Sequence, residues 1–353
     1  MRVLHVVTSL DVGGTQRLLT DLIPGISNCC HADLLVYLDI ENGFKRTLLE
    51  KGIRIIDIDE PDFGSFGVVF KLRRIFRNYD IVHVHLFPSL YQCALAAIGL
   101  RTKMVYTEHS TSNRRRNKFW LRPVERFIYS RYERIISISK DTENALTSWL
   151  GYGGERFVTI NNGVDISRFN SIEVPRVENA LVMVSRFAPA KDQETVIRAI
   201  PYVRNEVFVR FVGDGVTRQK CERLSAELGV SDRVQFWGSR SDVAELISSS
   251  LIGVQSSKWE GFGLTAVEMM ACGKPVIASN VDGLRQVVDG AGLLFEVGDE
   301  KQLADLVNKL YSDRAFYETI AARCRQRAES FDISLMADKY LAVYKTLFNN
   351  RDI

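Results

Sequence analysis

Short apolar runs, each closed by a turn and followed by a helical pattern, recur along almost the whole chain, and this alternation limits the folds open to it. In the first half the runs are RVLHVVT (2–8), ADLLVYL (32–38), IRIIDI (53–58), DIVHVHLF (80–87), KMVYTEH (103–109), RIISIS (134–139) and RFVTINN (156–162). Helical patterns lie between them over 66–77, 88–99, 119–132 and 140–150. The second half repeats the scheme with ALVMVSRF (180–187), VFVRFVGDG (207–215), RVQFWGSRSDV (233–243), SLIGVQSS (250–257) and PVIASN (275–280). Near-continuous apolar strands are buried on both faces. Alternating with helices of this length, they predict parallel sheets covered by helices on each side, with ligands held beyond the carboxyl ends of the strands. The fold class is therefore α/β. At 353 residues one core is too few, so two such domains are expected. They run over 1–168 and 179–331, joined by the polar, proline-containing SIEVPRVEN (171–179). A helical tail, 332–353, carries an apolar stripe of Leu335, Tyr340, Leu341, Tyr344, Leu347 and Phe348.

The totals exclude several classes. Hydrophobic residues make up 46% and charged residues 25%, the balance of a soluble globular protein. Six cysteines (29, 30, 93, 221, 272, 324) show no metal-ligand or C-x-x-C spacing and read as reduced thiols. Residues 3–10 run into Asp11 and a glycine pair without a small-residue cleavage site, so they read as a first strand rather than a signal peptide. No run approaches the roughly 18 apolar residues of a spanning helix. The expectation is a cytoplasmic protein, at most peripheral on the inner face of the cell membrane. Net charge is only +3 and no nucleic-acid motif is present, so nucleic acid is not an expected partner.

The densest chemistry lies in 256–275, SSKWEGFGLTAVEMMACGKP. A strand feeds a glycine loop (Gly261, Phe262, Gly263), and a helix opens at Leu264 and Thr265 with Val267, Met270 and Ala271 on its apolar face. Free N–H groups and the positive dipole end of such a helix suit a phosphate, and glycines allow close approach. Glu260 sits in the loop and Glu268 on the helix, each able to accept hydrogen bonds from sugar hydroxyls. A second constellation opens the same half: Arg186 ends a strand and Lys191 begins a helix, a guanidinium and an ammonium placed as a diphosphate clamp. Asp192 follows Lys191 and reads as a helix cap. In the first half, Gly13-Gly14 follows the first strand and opens a helix, without the third glycine of a dinucleotide fingerprint. His83 and His85 share one strand face; a metal pair there lacks a third ligand of useful spacing, so two hydrogen-bonded histidines are the reading. His109 ends the strand KMVYTEH.

Two glutamates with seven residues between them, together with the Arg–Lys pair, resemble the E-x7-E signature of retaining glycosyltransferases of the GT-B fold, family 4. The resemblance covers nearly the whole chain and includes NGVD (162–165) followed by Phe169. It implies two Rossmann-like α/β/α domains with a cleft between them, and a final helix crossing back to the N-domain. It further implies a hexosyl or N-acetylhexosaminyl donor bound as a nucleotide-diphosphate sugar, most plainly a UDP-sugar, and a glycan or lipid-linked acceptor hydroxyl. No metal cofactor is implied. By resemblance, Arg186 and Lys191 neutralise the leaving diphosphate, Glu260 holds donor-sugar hydroxyls and Glu268 the ribose, and His109 reaches the donor sugar unless it merely caps the following segment. Gly13, Gly14, Gly213 and Gly238 line the nucleotide, with Trp237–Ser241 beside the base. In the mechanisms proposed for the family the leaving phosphate oxygen takes the acceptor proton. Lys191 is followed by Asp192 where the family has glycine, a departure that puts a carboxylate beside the phosphates.

Charge is unevenly placed. Residues 101–140 carry 11 basic and 3 acidic side chains, 11 − 3 = +8. Within them Arg114, Arg115, Arg116 and Lys118 precede Phe119 and Trp120. Aromatics among cations suit an anionic membrane surface, at about 1 kcal/mol per basic residue; the alternative is a solvated basic face with the aromatics packed inward. By analogy with the family that the chain resembles, a basic, aromatic-flanked first domain suggests a lipid-linked acceptor and hence bacterial surface polysaccharide assembly, of the capsule or lipopolysaccharide kind. Two rival activities share the expected fold: a nucleotide-sugar epimerase, and a nucleotide-sugar-binding protein without catalysis.

Overall fold

The computed structural model describes the chain apart from Val12, Asp39, residues 61–64, Ser112, Glu173 and residues 350–353, and apart from the side chains of Phe66 and Arg114. It forms two compact units, one of Met1–Gly163 with Ile333–Ile353, the other of Val164–Asp332.

The first unit holds seven parallel strands: β1 (Arg2–Ser9), β2 (His31–Leu38), β3 (Ile55–Asp57), β4 (Ile81–His85), β5 (Lys103–Glu108), β6 (Arg134–Ser137) and β7 (Phe157–Thr159). Their order is β3-β2-β1-β4-β5-β6-β7, so the direction of winding reverses between β1 and β4. Helices α1 (Gly14–Ser27), α2 (Gly43–Glu50), α3 (Phe66–Phe76), α4 (Ser89–Ala96), α5 (Arg122–Tyr129) and α6 (Lys140–Leu150) connect them. Local chemistry sets several starts: Asn42 accepts from the Lys45 amide and Ser139 from the Thr142 amide, both at 3.1 Å, satisfying donors a helix cannot. The helical pattern expected over 119–132 breaks in two, with a short 3-10 turn at Phe119–Leu121 before α5. Pro123 sits in the first turn of α5, where its missing N–H costs nothing.

The second unit repeats the plan with six strands in the order β10-β9-β8-β11-β12-β13. In chain order it runs α7 (Ser167–Asn170), β8 (Ala180–Val184), α8 (Gln193–Ala199), β9 (Phe208–Val212), α9 (Arg218–Glu227), β10 (Val234–Phe236), α10 (Val243–Ser249), β11 (Ile252–Gln255), α11 (Leu264–Ala271), β12 (Val276–Ser279), α12 (Asp282–Val288), β13 (Leu293–Phe295), α13 (Glu300–Ser312) and α14 (Arg314–Glu329). Here the winding reverses between β8 and β11. The boundary expected at 168 lies inside this unit. The Val164 amide donates to the Phe331 carbonyl at 2.9 Å, and Val164 bridges to Asp332. Segment 164–178, which was expected to divide between domain and linker, therefore belongs with the second unit.

The last helix, α15 (Ile333–Asn349), is part of the first unit. Odd-numbered strand residues Val3, Ile81 and Val105 form one face of that sheet, and Leu18, Leu22 and Ile26 of α1 with Met336, Tyr340, Leu341, Tyr344 and Leu347 of α15 cover it. Each such side chain stabilises the packing by about 1.5–3 kcal/mol. Among the described residues no helix is long and apolar enough to cross a membrane.

Candidate active site

In the second unit the loops beyond the carboxyl ends of β8 and β11 meet at the switch point of the sheet, where open α/β folds hold their ligands. Backbone bonds stitch them together: the Asp192 amide donates to the Ser256 carbonyl at 3.1 Å and the Lys258 amide to the Ala190 carbonyl at 2.8 Å. This pairing brings Lys191 Nζ onto a Glu260 carboxylate oxygen, and both side chains are about one-fifth exposed. The other Glu260 oxygen accepts from the Gly261 amide at 3.1 Å, which fixes the carboxylate at the mouth of the glycine loop.

Gly263 caps α11 with φ 93°, a left-handed conformation that a side chain would strain. The first-turn amides of Leu264 and Thr265 find no acceptor among the described residues, so α11 presents free N–H groups and the positive end of its dipole. Phe262 contributes backbone only, because its ring is buried edge-on against Phe331 at 5.4 Å. Glu268 is buried on α11, one turn on from Leu264. Gly213, with φ 132°, closes the loop after β9; a Cβ there would collide with the Ser185 carbonyl, and its amide donates to the Gly238 carbonyl at 2.8 Å. These bonds bring Gly213 and Gly238 to the strand end that carries Ser185 and Arg186.

Arg186 is exposed just past β8, and its guanidinium has no partner among the described residues. Its carbonyl is held by Gln193 Nε2 at 3.0 Å, which also donates to Ser185 Oγ at 3.0 Å. Asp192 differs from the cap expected of it. Its side chain accepts no backbone N–H of α8; it takes the Thr195 hydroxyl at 2.6 Å and faces Lys258 Nζ at 3.9 Å. The carboxylate is thus turned into internal bonds and away from competing for Lys191.

The remaining candidates lie in the first unit. Gly13 and Gly14 sit where β1 gives way to α1, but Gly13 has φ −174°, ordinary extended backbone. His109, half-buried just beyond β5, places Nε2 3.2 Å from His85 Nδ1. Burial holds His109 neutral, its pKa lowered to about 3. His83 and His85 are hydrogen-bonded as expected, but beneath α15, and His5 of β1 joins them. The sequence reading missed His5; strand pairing sets it beside His83, which only register reveals.

The basic segment divides. Arg115 Nε donates to Glu125 at 2.6 Å and Arg116 Nη2 to Glu108 at 3.2 Å, and both carboxylates are buried. Two of the expected surface cations therefore serve internal ion pairs, since a buried carboxylate is costly unless paired. The Arg114 side chain lies outside the described residues. Lys118 sits 5.8 Å from the Trp120 ring, and Phe119 and Trp120 are 82% and 59% exposed, so the aromatics do not pack inward.

The model for glycosyltransferase family 4 matches residues 12–168, and that for glycosyl transferases group 1 matches 167–330. The chain is 29% identical to N-acetyl-alpha-D-glucosaminyl L-malate synthase of Bacillus anthracis, over 77% of this chain and 74% of that one. It is 30% identical to the lipopolysaccharide core biosynthesis glycosyltransferase LpsD of Rhizobium meliloti, over 49% and 51%. Among solved structures, Anabaena Alr3699/HepE in complex with UDP and glucose superposes with a TM-score of 0.87 at 24% identity, covering 98% of this chain and all of that one. The two matched models adjoin and span nearly the entire chain, and the chain belongs to the family 4, group 1 glycosyltransferases.

Proposed function

We propose that this glycosyltransferase moves a hexosyl or N-acetylhexosaminyl group from a UDP-sugar to a hydroxyl of a lipid-linked glycan, with retention at the anomeric carbon and without a metal. The observation that carries this reading is the Lys191–Glu260 pair, set at the sheet's switch point beside the open first turn of α11. A departing nucleoside diphosphate develops negative charge. Lys191, Arg186 and the Leu264 and Thr265 amides supply two cations and a helix dipole where that charge grows. On donor binding Lys191 exchanges the Glu260 carboxylate for phosphate oxygens, which releases Glu260 to the sugar hydroxyls. As the C1–O bond to phosphate breaks, the acceptor oxygen bonds C1 from the same side, and its proton passes to the leaving phosphate oxygen. Glu268 serves the ribose, and His109 a sugar hydroxyl. The UDP preference draws on the fold neighbour bound to UDP and glucose, and the setting in bacterial surface polysaccharide assembly draws on the lipopolysaccharide relative.

Exposed Phe119 and Trp120 beside Lys118 favour contact with an anionic membrane surface on the cytoplasmic side, where a lipid-linked acceptor resides. The test of the main reading is product stereochemistry: NMR of the transferred sugar should show the donor's anomeric configuration. Inversion at C1, or conversion of the donor sugar without transfer as an epimerase would give, sinks it.

A further inference from the structure

Three of the chain's five histidines, His5, His83 and His85, stand on one face of the first sheet, and a fourth, His109, lies just beyond β5. His83 uses both ring nitrogens on hydroxyls, Nδ1 with Tyr344 at 2.5 Å and Nε2 with Thr107 at 2.7 Å. The other three form a line. His5 Nδ1 lies 3.1 Å from His85 Nε2, and His85 Nδ1 lies 3.2 Å from His109 Nε2. His5 Nε2 ends the line in the core without a partner among the described residues. At the other end Ser89 Oγ donates to the His85 carbonyl at 2.9 Å, pinning the strand end. His5, His83 and His85 are close enough to share a metal ion, but both nitrogens of His83 and both of His85 are already hydrogen-bonded, which leaves only His5 Nε2 open among the described residues.

Burial keeps all four rings neutral: His5 is lowered to about 3, and His83 and His85 well below the usual histidine value. A neutral imidazole has one N–H and one lone pair, so the line can point only one way at a time. Pointing inward, each ring donates toward the core and His5 Nε2–H is a buried donor with no acceptor. Pointing outward, His5 Nδ1–H donates to His85 Nε2, His85 Nδ1–H donates to His109 Nε2, and the core end is a bare lone pair. An orphaned buried N–H is the rarer and costlier outcome.

We infer that the buried pair His5–His85 fixes His109 as a donor through Nδ1–H, which makes His5 and His85 positioning residues for the hydrogen bond His109 gives to a sugar hydroxyl. The part concerning the sugar rests on the reaction proposed above; the direction of the line does not. Long-range proton–nitrogen NMR of the imidazoles in the free, full-length protein distinguishes protonated from bare nitrogens. His109 should show bare Nε2 and protonated Nδ1, unchanged from about pH 5.5 to 8. His5→Asn keeps an N–H near the Nδ1 position and should preserve that state, whereas His5→Leu removes the donor and should give a mixture. In turnover, His5→Leu should lower kcat about tenfold with little change in donor KM, and His5→Asn should restore kcat to within about twofold. A wild-type His109 protonated on Nε2 overturns the inference whatever the variants do, even where His5→Leu fails to fold. A tautomer mixture in His5→Leu with unchanged kcat overturns the positioning role and leaves the direction of the line.

Discussion

Lowering the pH from 7.5 to 5.5 is expected to weaken the first unit by about 4 kcal/mol, because three histidines are held neutral in its core. Their folded pKa values are lowered, so between the unfolded value near 6.5 and the folded values the unfolded chain binds protons that the native chain refuses. Stability is therefore complete above about pH 7.5 and falls as the pH drops through 6.5. Each group contributes about 1.4 kcal/mol over this interval, and three give about 4. Half-buried His109 adds to the loss. Burial raises the Glu108 carboxyl, which acts in the opposite sense and blunts the fall. Against a typical total of about 5–15 kcal/mol this is a large fraction. The assay is urea unfolding followed by tryptophan fluorescence in a protein with Trp237 and Trp259 replaced by phenylalanine, leaving Trp120 and Trp149 of the first unit. At a slope near about 3 kcal/mol per molar, the midpoint should drop by about 1.3 M. A drop of less than about 0.3 M would refute the neutral-cluster argument.

Turnover and stability variants check the other assignments. Lys191→Ala and Arg186→Ala should each lower kcat by about 10²–10³, the scale for one preorganised charge-stabilising donor; losses below threefold in steady-state assays would remove the clamp. Glu268→Ala should chiefly raise donor KM, and a pure kcat loss would contradict a ribose role. Glu125 is fully buried and accepts from Tyr91 at 2.8 Å, Arg115 at 2.6 Å and Trp149 at 2.5 Å, so Glu125→Ala should cost about 3–5 kcal/mol in thermal or chemical unfolding. Phe119→Ser with Trp120→Ser should abolish sedimentation with anionic liposomes at low salt while nucleotide-sugar turnover persists; unchanged sedimentation would dismiss the membrane contact.

Much of the candidate site's layout was legible because it is local. Glu260, the glycine loop and the start of α11 lie within a few residues, and a strand–loop–helix phrase carries its own geometry. Parallel α/β order was legible too, since apolar strand runs and helices alternate with little interruption. What escaped depends on contacts distant in sequence. His5 gains meaning only from its register beside His83, and Tyr340 and Tyr344 close over these rings from a helix at the far end of the chain. Arg115 and Arg116 read as surface charge because nothing nearby shows that Glu125 and Glu108 are buried. Asp192 stands at a helix start, where a cap is the natural expectation, but Thr195 offers its carboxylate a closer donor. The unit boundary moved because Val164 pairs with Phe331 and Asp332, and a strand-like phrase cannot disclose its partner.

The most direct test of the central claim is nucleotide release from a panel of UDP-, GDP- and ADP-sugars in the presence of EDTA. The account predicts slow, metal-independent release of UDP from one donor, lost in Lys191→Ala and in Glu260→Ala. Release that EDTA abolishes, or that survives both substitutions, would contradict it, because the charge on the leaving diphosphate would then be met by something other than the Lys191–Glu260 site.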